Sequence, residues 1–412
     1  MKPSPFIAFF LAAAGIVSAQ DHATSPALTP SWSAAPSASG YYINSTAISG
    51  DGARAIGGTF FHSYTVTGRD ASSGTFGTYC YSANGTQLWK DEFTGWQGVY
   101  WVDISNDGAW AASGGWYSQN PYRGFVRAYN AANGQTVLSA YTSDRVNQVA
   151  LSADGTWLVS GAESVILWHR VGGKYVQADV FKPTAASDSI QTIALSADGS
   201  HLVAGDFAGS VMLFSITDGK LGTPTTWTLP GGGYSHCVRI NPAGTFFAAG
   251  GSSGNFYLFN VAQFLASGQP VTSYHVAGAG SVYGVAVSAS GDAFVGIVNA
   301  QSTQGCVYYV LGTPGAGTLR WTFPTQHNPN SVSLNSNAGL VAVADGHPDG
   351  TPGSFYLLKA GTGTLLGTYG TSNMSWPIEI ASNGSALIGG SDDSHLYYFP
   401  ALTIGSAGRR SK

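Results

Sequence analysis

The chain has 412 residues, only 9% of them charged against about 25% in an ordinary soluble domain. Gly is abundant at 56 residues, and the formal net charge is -4. This balance gives no electrostatic footprint for nucleic acid, and the abundance of Gly with aromatic and hydroxyl residues favours a turn-rich β-protein over a helical one.

Residues 1–19 have the pattern of a signal peptide. Lys2 is followed by the apolar run from Phe6 to Val17, and Val17-Ser18-Ala19 puts small residues before Gln20. The expectation is a secreted protein, extracellular or periplasmic, with no membrane span and no partner copy. The three cysteines, Cys80, Cys237 and Cys306, are spread over separate segments, so buried free thiols are expected.

From about residue 40 onward one phrase recurs. It is clearest at Leu151-Ser152-Ala153-Asp154-Gly155 and Leu195-Ser196-Ala197-Asp198-Gly199. Copies centre on Gly52, Gly108, Gly155, Gly199, Gly244, Gly291, Ala338 and Gly384, at spacings of 56, 47, 44, 45, 47, 47 and 46 residues. A period in the forties with β-type patterning predicts a β-propeller, one radial sheet per repeat. In the third repeat the strands fall at Val146 to Ser152, Trp157 to Gly161, Val165 to Trp168 and Tyr175 to Val180. The Asp-Gly step supplies the hairpin turn.

A fourth strand follows Asn84-Gly85-Thr86-Gln87-Leu88-Trp89, Asn133-Gly134-Gln135-Thr136-Val137-Leu138 and Gly317-Thr318-Leu319-Arg320-Trp321. None follows Leu396-Tyr397-Tyr398-Phe399, whereas Pro30-Ser31-Trp32-Ser33-Ala34-Ala35 resembles one. The fold class expected is therefore all-β: an eight-bladed propeller over 20–402 whose N-terminal strand closes the ring, with a basic tail at 403–412. Seven blades with one divergent unit is the alternative.

The phrase Val-Ala-Leu-Ser-Ala-Asp-Gly, followed by Leu-Val-Ser-Gly and Leu-Trp, resembles the inner strands of a WD-repeat propeller. The Asn-Gly-Thr-Gln-Leu-Trp turn is similar to repeats of pyrroloquinoline-quinone-type propellers. Trp-Asp is replaced by Trp168-His169, Phe214-Ser215, Phe259-Asn260 and Phe399-Pro400, so the His–Ser–Asp–Trp network of the former is not expected. No calcium-ligand or catalytic Asp motif of the latter is found. The resemblance thus implies architecture, and no cofactor or metal is called for.

Counting eight residues back from each turn gives Asn44, Tyr100, Asn147, Gln191, His236, Tyr283, Asn330 and Trp376. Amides and aromatics at one register predict a ring at the mouth of an axial channel. Such a ring suits a protein partner or a neutral glycan-like carbohydrate ligand. Three positions deeper, Asp103, Arg239 and Glu379 stand where the other repeats have Ala or Ser. They face the channel or pair between blades. The variable loops 62–74, 115–123, 299–305 and 345–353 are expected on the same face. No catalytic motif stands in its required context. The reading is a non-catalytic binding scaffold, with an extracellular lyase, hydrolase or quinone-dependent oxidoreductase as the alternative.

Overall fold

Runs of Val, Ile, Leu and aromatic residues between Asp-Gly and Asn-Gly steps fold as short antiparallel strands. In the third repeat Gln148–Leu151, Trp157–Gly161, Val165–Val171 and Lys174–Phe181 pair in sequence order. The computed structural model describes residues 27–37, 42–60, 75–94, 97–117, 123–184, 189–300, 305–312, 315–335, 339–347 and 350–400. The signal-peptide stretch, the basic tail, the loop 61–74 and parts of the other long loops lie outside the described residues.

The same antiparallel order runs through 42–94, 97–142, 190–228, 235–275, 279–324 and 329–370. In the last unit Ser375–Ile380, Ala386–Ser391 and Leu396–Pro400 pair in turn. Trp32–Ala34 then adds to the edge, with Trp32 opposite Tyr398. One element has no counterpart in the sequence reading. Helix Val261–Ser267 interrupts the fifth unit, capped by the Asn260 side chain, which accepts from the Gln263 amide. The seventh unit also differs. The stretch read as a loop at 345–353 is largely strand, because Leu340–His347 and Thr351–Lys359 stay paired out to His347 and Thr351.

The recurring phrase builds one hydrogen-bonded turn. Ser152 Oγ donates to Asp154 Oδ1 at 2.8 Å, Asp154 Oδ1 accepts from the Thr156 amide, and Ser152 Oγ accepts from the Trp157 amide. Ser49 with Asp51, Ser105 with Asp107, and Ser196 with Asp198 repeat it. Asn241 and Asn335 replace the pair, each accepting two amides through its own Oδ1. The glycine that follows needs a left-handed backbone, for example φ 64° at Gly155 and 72° at Gly199. Turns also hold one another: the Ala153 amide donates to Ala197 O, and the Ala197 amide to Pro242 O. The phrase is scaffold.

The core lies between the units rather than within any one of them. One apolar cluster joins Ile56, Phe76 and Trp89 to Val102, Phe125 and Tyr129. Another joins Ile43, Tyr79 and Tyr81 of the first unit to Ile388, Leu396 and Tyr398 of the last. Two repeated devices bring neighbours this close. First, a glycine of the second strand lies where the next unit's first strand leans on it. A Cβ at Gly114 would sit 2.5 Å from Val146, one at Gly161 2.7 Å from Ile190, and one at Gly390 2.3 Å from Ile43. This explains the small residues that close Leu-Val-Ser-Gly and its copies. Second, an outer tryptophan docks on the neighbouring turn glycine. Trp89 donates Nε1–H to Ala131 O over Gly134, and Trp321 donates to Ala360 O over Gly363. Trp32 donates to Ala83 O over Gly85 in the same manner.

Candidate functional site

All eight residues found by counting back from the turns line a single cavity of about 310 Å³. Their backbone explains how. The register of first and second strands shifts at Asn44, Tyr100, Gln191, His236, Tyr283 and Asn330, and between Ser375 and Ile378 around Trp376. Each is the extra residue of a β-bulge, which breaks the ladder locally and re-aims a side chain. At Asn147 the strand is only beginning, and its amide donates to Gly161 O.

The eight side chains divide by what they already hold. Asn44 donates to Tyr100 O at 2.7 Å, Asn147 to Ile190 O at 2.7 Å, and Asn330 to Ser375 O at 2.9 Å. These three amides tie a unit to the next one. The others leave polar or aromatic surface open. Gln191 Oε1 and Trp376 Nε1 are buried with no hydrogen-bond partner. Tyr283 is exposed, and His236 lies between it and Tyr234, at ring separations of 5.0 and 4.1 Å. Burial pushes the His236 imidazole down to about 4, so it is neutral near pH 7 and shares a hydrogen with Ser252 Oγ. Tyr100 is capped by Arg145, whose guanidinium lies 4.3 Å from its ring centre and 4.7 Å from that of Trp116. Counting from the turns does not reach Tyr234 or Arg145. Each stands two residues before a ring position, where the repeats share no common residue type, Tyr42 alone matching Tyr234.

Of the three charged residues below the ring, Arg239 and Glu379 meet across the cavity, and Asp103 joins them in lining the chamber beneath it. Arg239 Nη2 lies 3.9 Å from Glu379 Oε1, and Ser333 Oγ donates to Glu379 Oε2 at 2.8 Å. Asp103 accepts from the Leu151 and Ile104 amides at 2.7 and 2.8 Å. Burial pushes the Asp103 carboxyl up to about 7 and raises that of Glu379, partly offset by the two amides and by Arg239. Arg239 and Glu379 keep 29% and 31% of their side-chain surface open, and that surface faces the mouth cavity and two chambers below it.

Asp345 and Asp392 serve differently. Asp345 accepts from the His327 and Ser354 amides and from the Tyr356 hydroxyl, a buried structural knot rather than a metal ligand. Asp392 is pushed up to about 7 by burial and by Asp393 beside it. Among the described residues no group of three His, Cys, Asp or Glu is placed to hold a metal ion, and no helix is long and apolar enough to cross a membrane.

These pKa shifts predict a stability profile. Asp103 and Asp392 bind protons more tightly folded than unfolded, so stability rises as pH falls from about 7 toward 4; His236, shifted down, opposes them over part of that range. Below about pH 4 the sign reverses. The turn carboxylates of Asp51, held by Ser49 and Ala53, and of Asp292, held by Ser290 and Ser288, lie below their usual values. Their contribution is lost on protonation. Denaturant midpoints measured from pH 3 to 8 should peak near pH 4–5, and Asp103→Asn should flatten the limb above the peak. A limb unchanged in that variant would refute the assignment.

The architecture can now be compared with known proteins. A crystal structure of Chaetomium thermophilum Sqt1 bound to the N-terminus of the ribosomal protein L10 superposes with a TM-score of 0.64 at 15% identity, covering 89% of this chain and 98% of that one. The chain is a β-propeller. A second Sqt1 structure covers 91% of the chain and 100% of its own, at 14% identity and a TM-score of 0.65. The propeller domain of Myceliophteria thermophila Cps50 (Swd1) covers 73% and 95%, at 17% identity and 0.54. Residues 133–168 match the WD domain, G-beta repeat. No curated protein matches the sequence.

Within the matched segment Trp168 Nε1 donates to Ser160 Oγ at 3.1 Å. One bond of a His–Ser–Asp–Trp network is thus kept where none was expected. The expectation of a secreted protein does not stand: the like-folded propellers, one bound to a ribosomal protein, point to a non-secreted chain. A lysine followed by a short apolar run is a signal of composition alone. Cys80, Cys237 and Cys306 are free thiols, as their spread over separate segments predicts, and burial pushes them up to about 12, 12 and 11.

Proposed function

We propose that this propeller is a non-catalytic interaction scaffold that holds a segment of a protein partner at the ring mouth. The observation that carries the reading is the bulged ring itself. It aims eight side chains into one cavity, yet leaves Gln191 Oε1 and Trp376 Nε1 without partners and Tyr283 exposed. Buried polar atoms without partners are costly in a free fold and are satisfied by a ligand that brings both a donor and an acceptor. A peptide backbone brings both. The Sqt1 neighbour, solved on the N-terminus of a protein, supports a chain segment as occupant.

The scaffold we propose has eight blades, with Trp32–Ala34 as the outer strand of the last. The Trp32 contact with Gly85, like that of Trp89 with Gly134, supports it, as does the Ile43 contact with Gly390.

Arrays of peptides and of neutral oligosaccharides probed with the intact protein, followed by calorimetry on the hits, test the function. Tyr283→Ala with Trp376→Ala should weaken binding at least about tenfold, since well-packed aromatics dominate such contacts, with little change in the denaturant midpoint. Asn44→Ala should instead lower the midpoint. Binding undiminished in the double variant would remove the mouth as the site. Hits confined to neutral oligosaccharides would favour a glycan ligand in its place.

A further inference from the structure

The mouth opens onto a floor whose charges are not balanced. Asp103 and Glu379 provide two carboxyl groups, and Arg239, which lines the lower chamber with both, reaches Glu379 at 3.9 Å. Arg239 is drawn the other way by Trp101, whose ring centre lies 5.7 Å from its guanidinium. Above this floor the unpartnered acceptor is Gln191 Oε1. Thr46, 5% exposed, lines both the mouth cavity and the chamber beneath it, and its Oγ1 also has no partner. The rim is aromatic. Tyr234 and Tyr283 are exposed there, and Tyr100 and Trp116 already hold a guanidinium, that of Arg145.

We propose that the mouth receives one basic side chain, lysine or arginine, of the bound protein segment, its cationic head passing the aromatic rim to reach Asp103 and Glu379. The inference rests on the protein-segment reading above and names what the segment must carry. Three features of the cavity require it. Its open acceptors call for N–H donors, which an ammonium or guanidinium supplies in number. Its aromatic faces attract a cation more strongly as water is excluded. Its volume of about 310 Å³ is at the small end of ligand sites, roughly 300–1,000 Å³, and suits one long side chain with the backbone on either side. Trp376 Nε1 is an unpartnered donor, and a segment's backbone carbonyl satisfies it. An acidic side chain would put a third carboxylate beside two. A neutral one would bring no second cation to two carboxyl groups that share Arg239, their hydrogen bonds from Ser333 and two backbone amides being already in place.

The test uses labelled, capped heptapeptides with arginine fixed at the centre and randomised flanks, against a matched set with citrulline, its neutral isostere. Fluorescence anisotropy with the full chain should give arginine peptides at least about tenfold tighter binding. Glu379→Gln, or Asp103→Asn if that variant does not fold, should shrink the arginine–citrulline gap while the citrulline peptides bind as tightly as before. Arg239→Met should widen the gap, because it removes the competing cation, and loss of a purely structural pair would not. Equal binding of both sets, abolished in both by Trp376→Ala, would overturn the cation inference and leave the segment reading standing. A gap untouched by the carboxylate variants would overturn it too. Failure of both sets to bind would overturn both.

Discussion

Deleting residues 1–34 is expected to lower the unfolding free energy by about 4 kcal/mol or more, the sum of losing one buried leucine and one half-buried tryptophan. Leu28 is 4% exposed, packs on Gly367, and donates its amide to Thr368 O. Trp32 stacks on Tyr398 at 5.2 Å, approaches Tyr81 at 5.3 Å, and donates to Ala83 O. The short segment therefore touches the unit 329–370, the last unit and the first together. Its removal also bares the edge of Leu396–Pro400, whose unpaired backbone groups invite association. Urea denaturation and size-exclusion chromatography should show a lower midpoint together with aggregation. Trp32→Ala alone should lose about half as much. A deletion that leaves the midpoint in place would mean that the segment only decorates a sheet complete without it.

Gly199→Ala should destabilise by about 3 kcal/mol, combining the left-handed backbone penalty with overpacking. The backbone at Gly199 has φ 72°, and an added Cβ would lie 2.3 Å from Trp157 Cδ1, well inside van der Waals contact. Trp157 is itself held against His169, with ring centres 4.2 Å apart, so it has little room to yield. Gly172 is the control. Its φ is 59°, but nothing lies within 4 Å of the Cβ position, so Gly172→Ala should carry the backbone part alone, about 1–2 kcal/mol. Equal losses at the two sites, measured by denaturant titration, would show that Trp157 moves aside freely.

Much of the site could be read from the sequence because the turn phrase acts as a ruler. Its Ser, Asp and Gly are fixed by local hydrogen bonding and backbone sign. The first strand ends four residues before every turn position whatever its length, so a count of eight always lands on the same register. The count did not separate the ring into the amides of Asn44, Asn147 and Asn330, which hold neighbouring carbonyls, and the side chains left open. That division depends on which carbonyl lies across the unit boundary. Tyr234 and Arg145 were missed because their position, two before the ring, keeps no common residue type from repeat to repeat. Helix Val261–Ser267 was missed because it occupies one connection only.

Sequence alone determined the repeat, the all-β class, the turn chemistry and the membership of the ring, since each depends on residues near one another in the chain. Tertiary structure decided the rest. It placed a β-bulge under the ring residues, so that they share one cavity. It brought Arg239 to Glu379 from units far apart in sequence, and it set Asp103 near them in a site dry enough to raise its pKa to about 7. Charges separated by more than a hundred residues carry no mark of their meeting in the sequence; only the packing of the sheets determines the distance between them.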